Sequence, residues 1–194
     1  MARPKILFGT NNLHKLREIR EIVGKSYEVL SLSDLGIEQD VAETETTLTG
    51  NALLKARAFH QLAGIPCFSD DTGLEVDALD GRPGVYSARY AGPACDANDN
   101  IDKLLEELHG QSERSARFRT VIAYIDGEDV HTFDGVAEGE ILTARQGEGG
   151  FGYDPVFLPQ GESRSFAELS PQEKNHISHR GKAVRAFSSF LLQS

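Results

Sequence analysis

Lys5-Ile6-Leu7-Phe8-Gly9-Thr10-Asn11-Asn12-Leu13-His14-Lys15-Leu16 opens the chain with a short apolar run, a polar loop and the start of a helical repeat. Lys5 to Gly9 reads as a buried first strand. Leu13, Leu16, Ile19, Ile22 and Val23 then recur at helical spacing up to a stop at Gly24. A second strand is expected over Tyr27 to Leu30. A second helix follows from the stripe Ala52, Leu53, Ala56, Phe59 and Ala63, ending at Gly64. Next comes Ile65-Pro66-Cys67-Phe68-Ser69-Asp70-Asp71-Thr72-Gly73, read as a third strand that ends on two carboxylates and leads into a turn at Thr72-Gly73. Leu74 to Leu79 is its expected hairpin partner, and Asp80-Gly81-Arg82-Pro83-Gly84 a loop.

Beyond a further helix carrying Ile101, Leu104, Leu105 and Leu108, the pattern becomes one of strands. Arg117 to Ile125 alternates and then runs apolar, Asp126-Gly127 reads as a turn, and Val130 to Ile141 as a long return strand. Gly147-Glu148-Gly149-Gly150 is a mobile or tightly turning loop. Ile177, Val184, Phe187, Phe190 and Leu191 share one face of a terminal helix. Helical crossovers early and hairpins late cannot all make parallel neighbours, so the order predicts a mixed sheet in an α/β or α+β fold.

The 194 residues suffice for one sizeable core, and a single domain over 1–194 is expected. With 39% hydrophobic and 26% charged residues the composition is that of a globular protein, not a disordered one. A formal net charge of −10 argues against nonspecific binding to nucleic acid or to an anionic membrane. A phosphate-bearing ligand would therefore need local cations or a metal. No run approaches the roughly 20 apolar residues of a membrane span, and the start is too short in apolar residues for a signal peptide. Cys67 and Cys95 form no metal-ligand pattern and read as free thiols, which makes the cytoplasm the expected compartment.

Four groups of residues can carry chemistry. Thr10-Asn11-Asn12-Leu13-His14-Lys15 sits where a strand ends and a helix begins, a place that offers unpaired N–H groups to an anion; N-capping with a solvated Lys15 is the plain alternative. Asp70 and Asp71, being neighbours in a strand, point to opposite faces and so suggest two different jobs, unless Asp-Asp-Thr-Gly simply makes a turn. Glu43, in the acidic stretch Asp40 to Glu45, can join Asp71 in holding magnesium, which takes one or two protein carboxylates plus substrate oxygens; otherwise the stretch is a solvated loop. Gly149-Gly150-Phe151-Gly152-Tyr153-Asp154-Pro155 allows close backbone approach and offers a ring face to a planar base, or else turns Phe151 and Tyr153 into the core. After Lys174 comes Ser178-His179-Arg180-Gly181, where Ser178 as N-cap of the last helix would put His179 and Arg180 in its first turn, positive charge that an anionic ligand or a keto oxygen would offset; solvated surface cations are the alternative.

Together these motifs resemble the inosine triphosphate pyrophosphatase family over nearly the whole chain. The resemblance rests on Thr10-Asn11-Asn12 with Lys15, Asn51-Ala52 with Lys55-Ala56, Ser69-Asp70-Asp71-Thr72-Gly73-Leu74, Pro83 to Tyr90, Gly149 to Pro155, and Ser178-His179-Arg180-Gly181. It implies a mixed α/β fold with a long central mixed β-sheet flanked by helices, two lobes with a substrate cleft between them, and a homodimer. It implies Mg2+-dependent hydrolysis of ITP, dITP and XTP to the monophosphate and pyrophosphate. By matched position Asp71 would be the catalytic acid and a metal ligand, and Glu43 a second ligand. Thr10, Asn11, Asn12, Leu13, His14, Lys15 and Thr72 would contact the substrate. Phe151, Gly152, Tyr153 and Asp154 would hold the base, and Lys174, His179 and Arg180 would complete its pocket. Donors on Arg180 and His179 would favour a 6-keto purine over adenine. The chain departs from the family pattern at Asn11, where a glycine is common, and at Gly50, where a glutamate is common. Two further readings are a nucleotide pyrophosphatase of broader specificity and a nucleotide-sensing module without turnover.

Overall fold

The computed structural model describes residues 2–23 and 25–193, apart from the side chains of His14 and Glu18; Gly24, the expected helix stop, lies outside the described residues. The strands are β1 (Lys5–Phe8), β2 (Glu28–Ser31), β3 (Cys67–Val76), β4 (Pro83–Gly84), β5 (Ser115–Asp126), β6 (Asp129–Ile141) and β7 (Phe157–Pro159). They form a seven-stranded sheet in the order β2-β1-β3-β5-β6-β7, with β4 paired to β3. Among the described residues five α-helices accompany them: α1 (Leu13–Val23), α2 (Leu48–Ala63), α3 (Ala97–Glu107), α4 (Pro171–Ile177) and α5 (His179–Leu191). β1 runs parallel to both β2 and β3, whereas β4 is antiparallel to β3 and β7 to β6. The expected mixed sheet flanked by helices is borne out. Among the described residues no helix is long and apolar enough to cross a membrane.

The chain forms two compact units. The first takes the residues up to Asp71, Val121–Asp134 and Ala183 onward; the second takes Thr72–Thr120 and Gly135–Lys182. β1 in the first unit is buried on both faces, as the parallel arrangement requires. Its alternation divides the core into two layers. Ile6 and Phe8 pack with Leu16, Ile19 and Val23 of α1 and with Val184 and Phe187 of α5. Leu7 turns the other way, toward Phe59 of α2 and Cys67 of β3. Phe68, one residue on from Cys67, stacks on Phe8 at 4.4 Å and belongs with the α1 and α5 layer.

In the second unit, Leu74 and Val76 of β3, Ala116 and Phe118 of β5 and Ala137 and Ile141 of β6 close over Ile101 and Leu104 of α3. Asp96 starts α3 by accepting from the backbone N–H groups of Asn98 and Asp99 at 2.8 and 3.1 Å, which fixes the entry of that amphipathic helix. Val156, Phe157 and Phe166 complete the cluster.

Three expectations need correction. No turn falls at Thr72-Gly73: β3 continues unbroken to Val76, so Leu74 to Val76 extend the strand instead of returning along it. Asp77–Leu79 form a 3-10 turn, and the antiparallel neighbour is the short β4, with Leu74 opposite Gly84. Local turn chemistry lost here to burial, because Leu74 and Val76 are fully enclosed in the core. The terminal helix is two helices, broken at Ser178, and Ile177 closes the first of them.

Both cysteines are free, Cys67 buried and Cys95 exposed. Burial pushes the Cys67 thiol up to about 12, because the thiolate would lose its hydration. Alkylation of the folded protein near pH 8 should therefore label Cys95 alone, and both thiols after denaturation. Mass spectrometry of the intact chain reads the number of adducts, and labelling of Cys67 in the fold would contradict this packing.

Candidate active site

Because β3 is extended through residues 67–76, Asp70 and Asp71 leave it on opposite sides. Asp70 shares its side with Phe68 and meets α1: Lys15 Nζ lies 3.0 Å from Asp70 Oδ1 and 2.8 Å from Oδ2. Asp71 shares its side with Cys67 and meets α2. Asn51 Nδ2 donates to Asp71 Oδ2 at 3.3 Å, and Lys55 Nζ lies 3.6 Å from Oδ1. The two jobs inferred for the pair thus correspond to two separate lysine partners.

The loop before α1 is built by its own polar side chains. Asn12 caps the helix, its Oδ1 accepting from Lys15 N at 3.2 Å, and Thr10 Oγ1 accepts from Asn12 N at 3.1 Å. Gly9 lies against β3: Ser69 Oγ donates to its carbonyl at 3.1 Å, and a Cβ there would run into Ser69 Oγ and the Phe59 ring. Asn11, Asn12 and Leu13 are exposed, and the side chain of His14 lies outside the described residues. The capping alternative holds for Asn12, but Lys15 is not a solvated cation, being tied to a buried carboxylate.

Glu43 and Asp71 converge on one ammonium group. Lys55 Nζ donates to Glu43 Oε1 at 2.5 Å while facing Asp71. Burial raises the Asp71 pKa, Lys55 opposes the rise, and Glu43 adds to it as the nearby like charge. For Lys55, burial acts to lower the pKa, yet the charges of Asp71, Asp70 and Glu43 outweigh it and hold the ammonium above its ordinary value. The leading causes differ: burial raises Asp71, whereas the surrounding carboxylates raise Lys55 against burial. Three carboxylates around one ammonium favour a positive charge at that point. At Gly50 a Cβ would press on the Glu45 side chain, and Glu45 N donates to Asn51 Oδ1 at 3.0 Å. Among the described residues no three His, Cys, Asp or Glu side chains are arranged as a metal cage.

The second group lies in the other unit. The Gly147 to Gly150 loop turns tightly, with φ of +81° and +73° at its end glycines, and Gly149 N donates to Ala167 O at 3.1 Å. A Cβ on Gly150 would collide with the Asp154 carboxylate. Asp154 is buried, and its Oδ2 accepts from Phe151 N at 2.7 Å and from Lys174 Nζ at 2.6 Å. Phe151 is 44% exposed, with the Lys174 ammonium 4.4 Å and the Arg180 guanidinium 5.3 Å from its ring centre. Tyr153 is a core residue, bonded through its hydroxyl to Ser87 O at 2.8 Å, so the two aromatics divide between the two readings of this loop.

α4 holds Lys174 in place through a reciprocal cap between Ser170 and Glu173. Ser178 Oγ accepts from Gly181 N at 3.1 Å and starts α5, as its sequence position implies. His179 and Arg180 in that first turn are buried, which removes the reading of solvated surface cations. The Thr72 hydroxyl pairs with that of the fully buried Thr120 at 2.7 Å. The fold therefore gathers Lys15, Glu43, Asp70 and Asp71 in one group and Phe151, Asp154, Lys174, His179 and Arg180 in another. Sequence reasoning left Asn51 and Lys55 without roles. Their signal was two polar residues four apart beside the apolar stripe of α2, a spacing that puts both on one face.

Residues 6–190 match the model of the Ham1 family. The chain belongs to the Ham1 family. It is 53% identical over 189 residues to a dITP/XTP pyrophosphatase of Porphyromonas gingivalis, covering 97% of each chain, and 49% identical to one of Flavobacterium psychrophilum, covering 96% and 98%. Among solved Ham1 structures, that of the Staphylococcus aureus Ham1 protein superposes with a TM-score of 0.92 at 38% identity, covering 97% of this chain and 98% of that one. The Coxiella burnetii HAM1 protein gives 0.94 at 38%, covering 98% and 100%. The family resemblance drawn from the motifs is thus borne out.

Lys55→Met tests the carboxylate centre. Removing one partner from a buried ion pair leaves uncompensated charge, so the metal-free variant should lose about 3 kcal/mol of stability in denaturant titrations. Asp71 titrates above its unfolded value, so its contribution to stability is greatest when protonated and falls as pH rises through the folded value. Without the ammonium that value climbs further, and the deficit should be larger near pH 8 than near pH 5; the opposite trend would contradict the assignment.

Proposed function

We propose that this chain hydrolyses the non-standard purine nucleoside triphosphates dITP, ITP and XTP to the monophosphate and pyrophosphate. The observation that carries the reading is its near full-length similarity to proteins named dITP/XTP pyrophosphatase, at 46–53% identity in six of them. The two residue groups supply the chemistry that such a reaction needs. The Asp71 group has the chemistry that suits a triphosphate, and the Phe151 group that which suits a base.

The metal reading fits the donors present. Glu43 and Asp71 offer carboxylate oxygens, which hard divalent cations prefer, and both already converge on a positive charge at Lys55 Nζ. Two carboxylates suffice for Mg2+, whose remaining positions go to water and substrate oxygens. When bound there, the ion would neutralise charge on the triphosphate and on the departing pyrophosphate.

The other roles fall to the chain itself. Lys15 binds phosphate oxygens, with Asp70 holding it in position, joined by N–H groups of the loop other than those of Thr10, Asn12 and Lys15, which are bonded within the protein. Asp71 takes the proton of the water that attacks the α-phosphorus, as the bond to the β-phosphate bridging oxygen breaks and pyrophosphate leaves. It must be ionised to do so, and the positive charge of Lys55 works in that direction against burial. Asn51 orients the carboxylate, and Thr72 donates to the phosphates from its pair with Thr120. Phe151 provides a ring for the base to stack on, while Lys174, His179 and Arg180 present donors that suit a keto oxygen and disfavour the adenine amino group.

The setting we assign is the cytoplasm, supported by two free thiols, with the enzyme as a homodimer acting on small nucleotides; the net charge of −10 disfavours nucleic acid as a partner. With a divalent ion present, purified protein should release pyrophosphate from dITP, ITP and XTP at least tenfold faster than from ATP or GTP. Asp71→Asn should lower kcat by about 100-fold or more with little loss of substrate affinity. Release of orthophosphate, or an unchanged rate in the variant, would reject the mechanism, and tight binding without turnover would indicate a sensing module.

A further inference from the structure

β5 presents Phe118 to the first turn of α5. The Phe118 and His179 rings lie face to face, with centroids 4.7 Å apart and planes 19° from parallel. Phe118 is itself held on two sides, edge-on to Phe157 at 4.7 Å and stacked with Phe166 at 6.1 Å. Phe166 also approaches His179, at 6.3 Å, and lies 5.6 Å under the Lys174 ammonium. His179 is thereby walled by aromatic carbon and buried, at the start of a helix whose next residue, Arg180, overlies Phe151.

A histidine ring has a soft second torsion, so its plane is set by what packs on its faces. Stacking on a ring that cannot move fixes that plane, and with it the directions in which the two ring nitrogens point. A hydrogen bond to a base is sharply directional, so a tilted imidazole would weaken recognition even with the residue present.

We propose that Phe118 is the positioning residue that sets the plane of His179 and thereby contributes to selection of 6-keto purines. The inference rests on the assignment of His179 to the base pocket. Phe118 touches no substrate in this scheme. Its effect passes through His179, so it bears on substrates that use this donor and spares those that do not.

Phe118→Leu keeps bulk but removes the flat face. It should raise KM for dITP and XTP about tenfold with less than a threefold fall in kcat, and reduce the preference over ATP by a similar factor. Phe118→Tyr, which keeps the ring, should restore both. His179→Asn should lower the same preference, and adding Phe118→Leu to it should cost nothing further, whereas a general packing defect would add to the loss. A histidine-labelled NMR spectrum gives a reading that needs no folded Phe118 variant: ring-current shielding should place the His179 ring protons, identified by their absence in His179→Asn, upfield of exposed histidines. Unshielded His179 signals, unchanged preference in Phe118→Leu, or additive losses would overturn the proposal. If His179→Asn itself leaves the preference intact, the base-pocket assignment fails, and the inference with it.

Discussion

A strand sends successive side chains to opposite faces, and β3 carries two carboxylates in succession between buried layers. Everything around the centre answers that constraint. A buried carboxylate needs a counter-charge, so each acid has a lysine, and each lysine must come from a different layer. Lys15 therefore belongs to α1, which packs on the Phe8 and Phe68 face, and Lys55 to α2, which packs on the Leu7 and Cys67 face. The arrangement divides labour. Asp70 is committed to anchoring a cation, whereas burial holds Asp71 above its ordinary pKa despite Lys55, with Glu43 alongside.

The general architecture was legible because its signals are periodic. The apolar run Ile6 to Phe8 in β1, the 3.6-residue stripes of α1, α2 and α3, and the long late strands each declare themselves within a short window. What escaped was decided at longer range. Asp-Asp-Thr-Gly has the composition of a turn, yet Leu74 and Val76 beyond it are needed in the core, and tertiary burial overrode local preference. Ile177 sits in helical register with Val184 and Phe187 yet belongs to the helix before them, since Ser178, the N-cap that the sequence offers, accepts from Gly181 N and starts the last one. Periodicity alone cannot register a break that preserves phase.

For the candidate site, residue types picked out side chains that the fold brings together and were blind to the partners. Lys15, Glu43 and Asp71 can be chosen as polar residues in suggestive places, and the loop from Gly149 to Asp154 by its glycines and aromatics. Asn51 and Lys55 look like the polar edge of a helix until α2 is laid against β3. Phe118 and Thr120 are more hidden still, since alternate residues on the buried face of a strand look like ordinary core in any sequence. Asp154 illustrates the reverse case. Its carboxylate serves the loop that carries it, closing on Phe151 N and Lys174, and so fixes the aromatic platform.

The two-faced use of β3 also limits how this protein can change in length. Surface loops absorb insertions readily, but a single residue added between Cys67 and Asp70 would turn the α1-facing acid toward Lys55 and leave Lys15 facing a seryl or aspartyl neighbour out of step. Adding two residues would restore the faces and still displace the carboxylates by roughly 6–7 Å along the strand. Away from the two acids, substitution within this segment is therefore better tolerated than any change in its length. Length variation among relatives of this chain should collect outside the stretch that joins Cys67 to Asp71.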